Sequence, residues 1–378
     1  MIEKNLKMRG TNERQLMMDL HTLCSSTVTR RIEYELAICS ICKVLKDSIK
    51  VFLFVPDEMD AEALFGLGRY HYFAEEADNY CEMSFAELES YGFTKETIEE
   101  VLERGFFLSL QIDGKEKYLV PSSEFLNTMV KFCGGGKVPK EPDPLRDLYV
   151  AYLLREADPF QIVYREDGKA GRAITCIGAR TTYVPQEQIV AELLRDIHEK
   201  QKYAIVSWYE INHLYTQIKV DLTELQLRTK GKDKRNNFYP GLLLTVSDTG
   251  DYANSIQTVI GFNGRMVKLG TTTSLESAIS ELKFVLKKIS AADGMVVSKG
   301  KEVLRLAKSI GLQDVGQKVF AAYEAYLETL TENCTYLDVI AELFSFPSKV
   351  DTLMGKTNKQ YITDKAERLL GDVLKKIS

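Results

Sequence analysis

Few residues in this chain have types and spacings that could do chemistry, and Cys39-Ser-Ile-Cys42 is the first of them. A CxxC pair can be a redox couple or half of a zinc site, and the zinc site needs a second ligand pair. No other CxxC, CxxH or HxxxH occurs. The surrounding run is apolar, so both thiols are expected to be buried and structural, on a helix. His21, His71, His198 and His213 are isolated from one another, no HExxH is present, and no GxSxG marks a serine elbow. Gly134-Gly-Gly136-Lys137 has Lys131 where a phosphate loop needs its first Gly and Val138 where it needs Ser or Thr. Gly66-Leu-Gly68 lacks the third glycine of a dinucleotide loop. Asp248 and Asp251, with Glu281 and Lys283, share residue types with metal-dependent nucleases, but Glu281 and Lys283 sit two apart on a predicted helix and face different ways. No catalytic residue, metal or cofactor is therefore expected.

One run does suggest a ligand. Arg228, Lys230, Lys232, Lys234 and Arg235 put five positive charges into eight residues against Asp233, between two predicted strands. Such an arm could neutralise phosphates, with Phe238 and Tyr239 placed to stack on bases. The plainer alternative is a solvated surface loop.

The elements that would position these residues suggest a mixed architecture. Residues 11–50 are predicted helical on an apolar stripe through Leu16, Leu20 and Leu23, with Val51–Val55 as a buried strand. Residues 83–121 give helix, helix, hairpin: Ser84 opens the first helix, Thr94 caps the second, and Asp113-Gly114 turns the hairpin. That is the order of a winged-helix unit. Glu96, Glu99, Glu100 and Glu103 on its second helix would repel a phosphate backbone, so a packing or protein-binding role is expected there, despite Lys115 and Lys117. Three glycines and three prolines in 132–144 read as a linker. An α+β core domain is expected over 145–290, and a helical region over 291–378, with helices near 298–310, 313–331, 335–344 and 358–376. The acidic, tyrosine-rich Tyr70–Tyr80 would suit a protein partner.

Composition bounds the class. In 378 residues, 49 basic against 54 acidic groups leave a net charge of −5, and 45% of residues are apolar. These values fit an ordinary globular chain of two or three domain-sized units. No apolar run reaches membrane-span length, no secretory h-region opens the chain, and seven scattered cysteines favour reduced thiols. Membrane, secreted and disordered classes are set aside, and a cytoplasmic location is expected.

The segment from Pro142 to about Thr273 has a familiar order: Val163-Tyr-Arg165, Gly171-Arg172, Gly178-Ala-Arg180-Thr-Thr-Tyr183-Val-Pro185, then Thr245-Val-Ser247-Asp248 and Phe262-Asn263-Gly264-Arg265. It resembles a family of phage- and plasmid-encoded proteins of unknown function, annotated only as phage/plasmid-like. The resemblance implies a mobile-element origin in a bacterial host cytosol and carries over no catalytic residue. The expected fold is α+β: a central, mostly antiparallel sheet between a helical N-terminal region, with the winged-helix unit at 83–121, and a helical C-terminal region. The expected function is a non-catalytic accessory protein, associated with single- or double-stranded DNA in recombination or replication. The alternative is a self-assembling or host-directed factor that binds a host or phage protein without a nucleic-acid role. A third reading is an enzyme whose site is assembled from residues distant in sequence.

Overall fold

The computed structural model describes residues 6–32, 35–55, 80–112, 114–123, 125–139, 141–167, 169–227, 238–249, 252–262, 265–292, 296–346, 349 and 369. The basic run 228–237, most of the tyrosine-rich stretch, the Gly66–Gly68 motif, Asp251 and the helix expected at 358–376 lie outside these residues, Leu369 excepted.

The chain is mixed α+β, as expected. After strand β1 (Met8–Gly10), helix α1 (Glu13–Ser25) starts at Asn12, whose side chain accepts from Gln15 N at 2.8 Å, and buries the predicted stripe of Leu16, Leu20 and Leu23. The helix expected to reach residue 50 stops there. Strands β2 (Thr27–Ile32), β3 (Leu36–Val44) and β4 (Ser48–Phe54) follow instead. Apolar residues at both parities of 36–41 fit a strand covered on two faces as well as a buried helix, and the covered strand wins.

Strand β5 (Cys81–Ser84) leads into helices α2 (Phe85–Ser90) and α3 (Lys95–Arg104), then strands β6 (Phe106–Ile112) and β7 (Lys115–Pro121). The helix, helix, hairpin order is present, but the hairpin is interior to a sheet and leaves no free wing. Helices α4 (Phe125–Phe132) and α5 (Pro144–Glu156) come next, then strands β8 (Phe160–Asp167) and β9 (Ala170–Gly178). The sheet order is β2-β8-β9-β7-β6-β3-β4-β5, antiparallel except for β7 beside β9. Helices α4 and α5 cover one face through Phe125, Met129, Leu148, Ala151 and Leu154, and α2 and α3 cover the other through Leu88, Ile98 and Val101. The segment 132–144, expected as a linker, therefore joins two helices lying on one face of this sheet.

Helix α6 (Gln186–Lys200) opens a second unit, with Pro185 as the residue before its first turn. Strands β10 (Ala204–Ile211), β11 (Thr216–Leu222), β12 (Tyr239–Val246), β13 (Ser255–Phe262) and β14 (Arg265–Thr272) form an antiparallel sheet in sequence order, with β1 on its edge. Two sheets thus stand where one central sheet was expected, because β8 and β9 join the first. Helix α7 (Leu275–Ala292) packs on the second sheet together with α1, α6 and a C-terminal group: α8 (Lys299–Ser309), α9 (Gln317–Glu328) and α10 (Tyr336–Phe344), tied by the ribbon β15 (Val296–Ser298) and β16 (Asn333–Thr335). No helix among the described residues is long and apolar enough to cross a membrane.

Candidate functional site

The two sheets meet along a buried polar seam. Arg165 on β8 and Arg172 on β9 are directly opposed in the antiparallel ladder, so their side chains share one face. Both residues are almost wholly buried, at 1% and 2% exposure. Two cations in such a position require separate partners. Arg172 finds Glu100 on α3, donating from Nη1 at 3.0 Å and Nη2 at 2.6 Å. Arg104, one turn further along the helix, donates to the same carboxylate from Nη2 at 2.8 Å and reaches Ser122 O through Nη1 at 3.1 Å. Burial raises the Glu100 pKa, but the bonds and charge of Arg172 and then Arg104 outweigh it, leaving the carboxyl below its ordinary 4.5.

Among the described residues Arg165 has no such carboxylate bond and its Nε has no partner, while its Nη1 lies 3.3 Å from His213 Nδ1. Burial lowers its pKa, opposed by the charge of Asp248. Asp248 itself accepts from the Tyr183 hydroxyl and from Gln186 Nε2 at 2.9 Å, while Gln186 Oε1 accepts from Thr216 Oγ1 at 2.5 Å. Burial, then Asp248, raises the Tyr183 pKa, which keeps the phenol protonated. Thr175 Oγ1 donates to Thr249 O at 3.0 Å, a further tie between the sheets.

A cleft of ≈300 Å³ opens on this seam. One wall carries Glu100, Arg104 and Arg172, and the other carries His213, Tyr215 and Tyr252. The β10–β11 turn that supplies His213 and Tyr215 is held by Asn212, whose Oδ1 accepts from Leu214 N at 2.8 Å and Tyr215 N at 2.9 Å. The Tyr215 and Tyr252 rings lie 4.7 Å apart, and Tyr252 is 40% exposed. Lys7 stands at the rim with Glu210 3.8 Å away, so the three cations here face two carboxylates, Glu100 and Glu210. Glu100, ionised between two guanidinium groups, is a poor base, so the arrangement suits capture of an anion with an attached flat ring.

The residues singled out in the sequence fare differently. Arg228, Lys230, Lys232, Lys234 and Arg235 lie outside the described residues. The run that holds them is bracketed by a single bridge between Leu227 and Phe238. Phe238 is fully buried, its ring 6.3 Å from that of Phe344, so base stacking would require it to leave the core. Tyr239 is exposed. Cys39 and Cys42 sit on strand β3 rather than a helix, and they join cores on opposite faces of the sheet, so the pair cannot share one ion. No group of metal-ligating residues occurs among the described residues. Glu281 accepts from Thr258 Oγ1 at 2.6 Å between α7 and β13, away from Asp248's partners. His213 and Glu100 carried no signal as site residues, because their partners lie 48 and 72 positions away. Comparison with protein-family models, curated proteins and solved structures found no match in any of the three.

Proposed function

We propose that the chain is a non-catalytic, DNA-associated accessory protein of a phage or plasmid, acting in recombination or replication in the host cytosol, and that its intersheet cleft receives a phosphate-bearing part of the nucleic acid. The observation carrying this reading is the cleft itself: Lys7, Arg104 and Arg172 against Glu100 and Glu210, beside the Tyr215–Tyr252 pair. Phosphate contacts supply affinity, and an aromatic face accepts an unpaired base of any sequence. The net charge of −5 makes binding local to such patches. The basic run 228–235 offers a second phosphate contact.

Anisotropy titration of single- and double-stranded oligonucleotides at two salt concentrations tests the reading. Tyr252→Ala is expected to weaken single-strand binding more than duplex binding. Neutralising Lys230, Lys232 and Lys234 together is expected to flatten the log–log salt slope by about 0.7–0.9 per lost contact. A parent protein that binds no oligonucleotide at low salt would sink it. The protein-binding alternative would then lead, favoured by Tyr203 and Ile205, which stand 63% and 55% exposed at the start of β10.

A further inference from the structure

We propose that the solvent face of helix α7 is a further contact surface for single-stranded nucleic acid, on which Lys283, Lys287 and Lys288 hold phosphates and Phe284 stacks on an unpaired base; this rests on the nucleic-acid reading above and names a surface outside the cleft.

Helix α7 divides sharply between its two sides. Ile279, Leu282, Val285 and Ile289 enter the core against the second sheet. The outward side carries Lys283, Phe284 and Lys287, all exposed, with Lys288 half-buried beside them. At 3.6 residues per turn these four fall within about 140° of arc, and Lys283 and Lys287 stand about 6 Å apart along the axis. The cations of the cleft are engaged by Glu100 and Glu210, whereas among the described residues Lys283, Lys287 and Lys288 make no ion pair. The helix's own carboxylates are committed elsewhere. Glu276 takes Lys200 at 3.1 Å, and Glu281 accepts from Thr258 Oγ1 at 2.6 Å. Three like charges crowd one patch of a chain whose net charge is −5, and at helical spacing they repel until an anion arrives.

Phe284 decides which anion. It is 58% exposed, the one large apolar residue that α7 turns outward. A lipid surface would need a whole apolar helix side to enter the acyl boundary, and the rest of that side is spent on the core. A single aromatic ring among lysines suits a strand instead, because a base offers a π-face and its neighbours offer phosphates. Lys288 Nζ already lies over the ring, 4.7 Å from its centroid. On binding, the ammonium can pass to a phosphate and leave that ring face to the base. A duplex keeps its base faces stacked inside, so the ring selects unpaired strand.

Anisotropy titration of a labelled single strand and of its duplex with the full chain, at two salt concentrations, tests the proposal. Lys283→Gln, Lys287→Gln and Lys288→Gln made together are expected to flatten the log–log salt slope of single-strand binding by about 0.7 per lost contact. Phe284→Leu keeps the apolar bulk without the π-face and is expected to lose about tenfold in single-strand affinity, with the duplex affected less. Phe284→Trp is expected to keep the parent's affinity, and the strand should quench its emission beyond any change in Trp208, the chain's one tryptophan. These side chains face solvent, so every variant is expected to keep the parent's thermal midpoint. Parent-like affinity and salt slope in the triple-lysine and Phe284→Leu variants would overturn the proposal while leaving DNA association through the cleft intact. Phosphatidylserine vesicles that bind the parent but not the triple-lysine variant, with strand binding equal in the two, would overturn it in favour of a membrane surface. A parent that binds no strand at low salt overturns both readings.

Discussion

Glu100 serves two guanidinium groups at once, and its own exposure is 1%. Removing its charge deprives the buried Arg172 of the carboxylate it donates to twice, a loss of about 3–5 kcal/mol. Glu100→Gln is therefore expected to lower the urea midpoint sharply, with little change in the slope of the transition. The pH dependence follows from the direction of the shift. With the folded carboxyl below its ordinary 4.5, its contribution is complete above that value and is lost as pH falls through the folded one. The variant should lack that acid limb. Asp147 has the opposite sign. Burial lifts it above its ordinary 3.8 despite Arg146 and Ser40 at 2.7 Å each, so its ionisation costs stability above that value and the cost is relieved on acidification. Sequence reading saw Glu100 only as one of four glutamates on a helix. Which of them faces inward depends on Arg172, which local spacing does not reveal.

At the scale of elements, helix α3 shows how much local chemistry decides. Thr94 forms a capping box with Thr97, and Gly105 ends the helix at φ +78, where a Cβ would run into Pro142. The cap at Thr94 is the one that residue type alone predicts. Thr94→Ala should cost about 1 kcal/mol, read as a lowered thermal midpoint. Because Glu100 lies within two turns of the cap, the variant should also bind oligonucleotide more weakly if the cleft is the site. Helix α7 is opened in the same way by a side chain, Ser274 Oγ accepting from Ser277 N at 3.3 Å. Strand β3 is a failure of local reading. Leu36-Ala-Ile-Cys-Ser-Ile is apolar all round, and periodicity does not separate a buried helix from a strand covered twice.

For the whole molecule, the placement of β9 is decisive. It lies between β7 and β8, so residues on both sides of 132–144 build one sheet. The core beneath it joins Leu36, Ile38 and Leu108 to Leu154, Ile162 and Ala173. A fragment ending at residue 139 would expose the β7 edge and half of that core. It is expected to lack cooperative unfolding by circular dichroism and to show poor amide dispersion by NMR. A fragment that folds cooperatively would restore 132–144 as a domain linker.

What the sequence determined by itself is what neighbours within a few residues can decide. The cap at Thr94, the hairpin of β6 and β7 and the buried stripe of α1 all rest on contacts one to four positions apart or on a turn's fixed φ. The mixed α+β class follows from their alternation. Only tertiary structure decided that residues 36–44 are a strand, since two layers of helices had to cover both its faces. It also decided that the chain makes two sheets, that Phe238 belongs to the core, and that Arg165, Arg172, Glu100 and His213 meet. Those charges are tolerable in the interior only when partners from distant strands arrive together, and desolvation makes such partnerships a property of the assembled fold rather than of any stretch of chain.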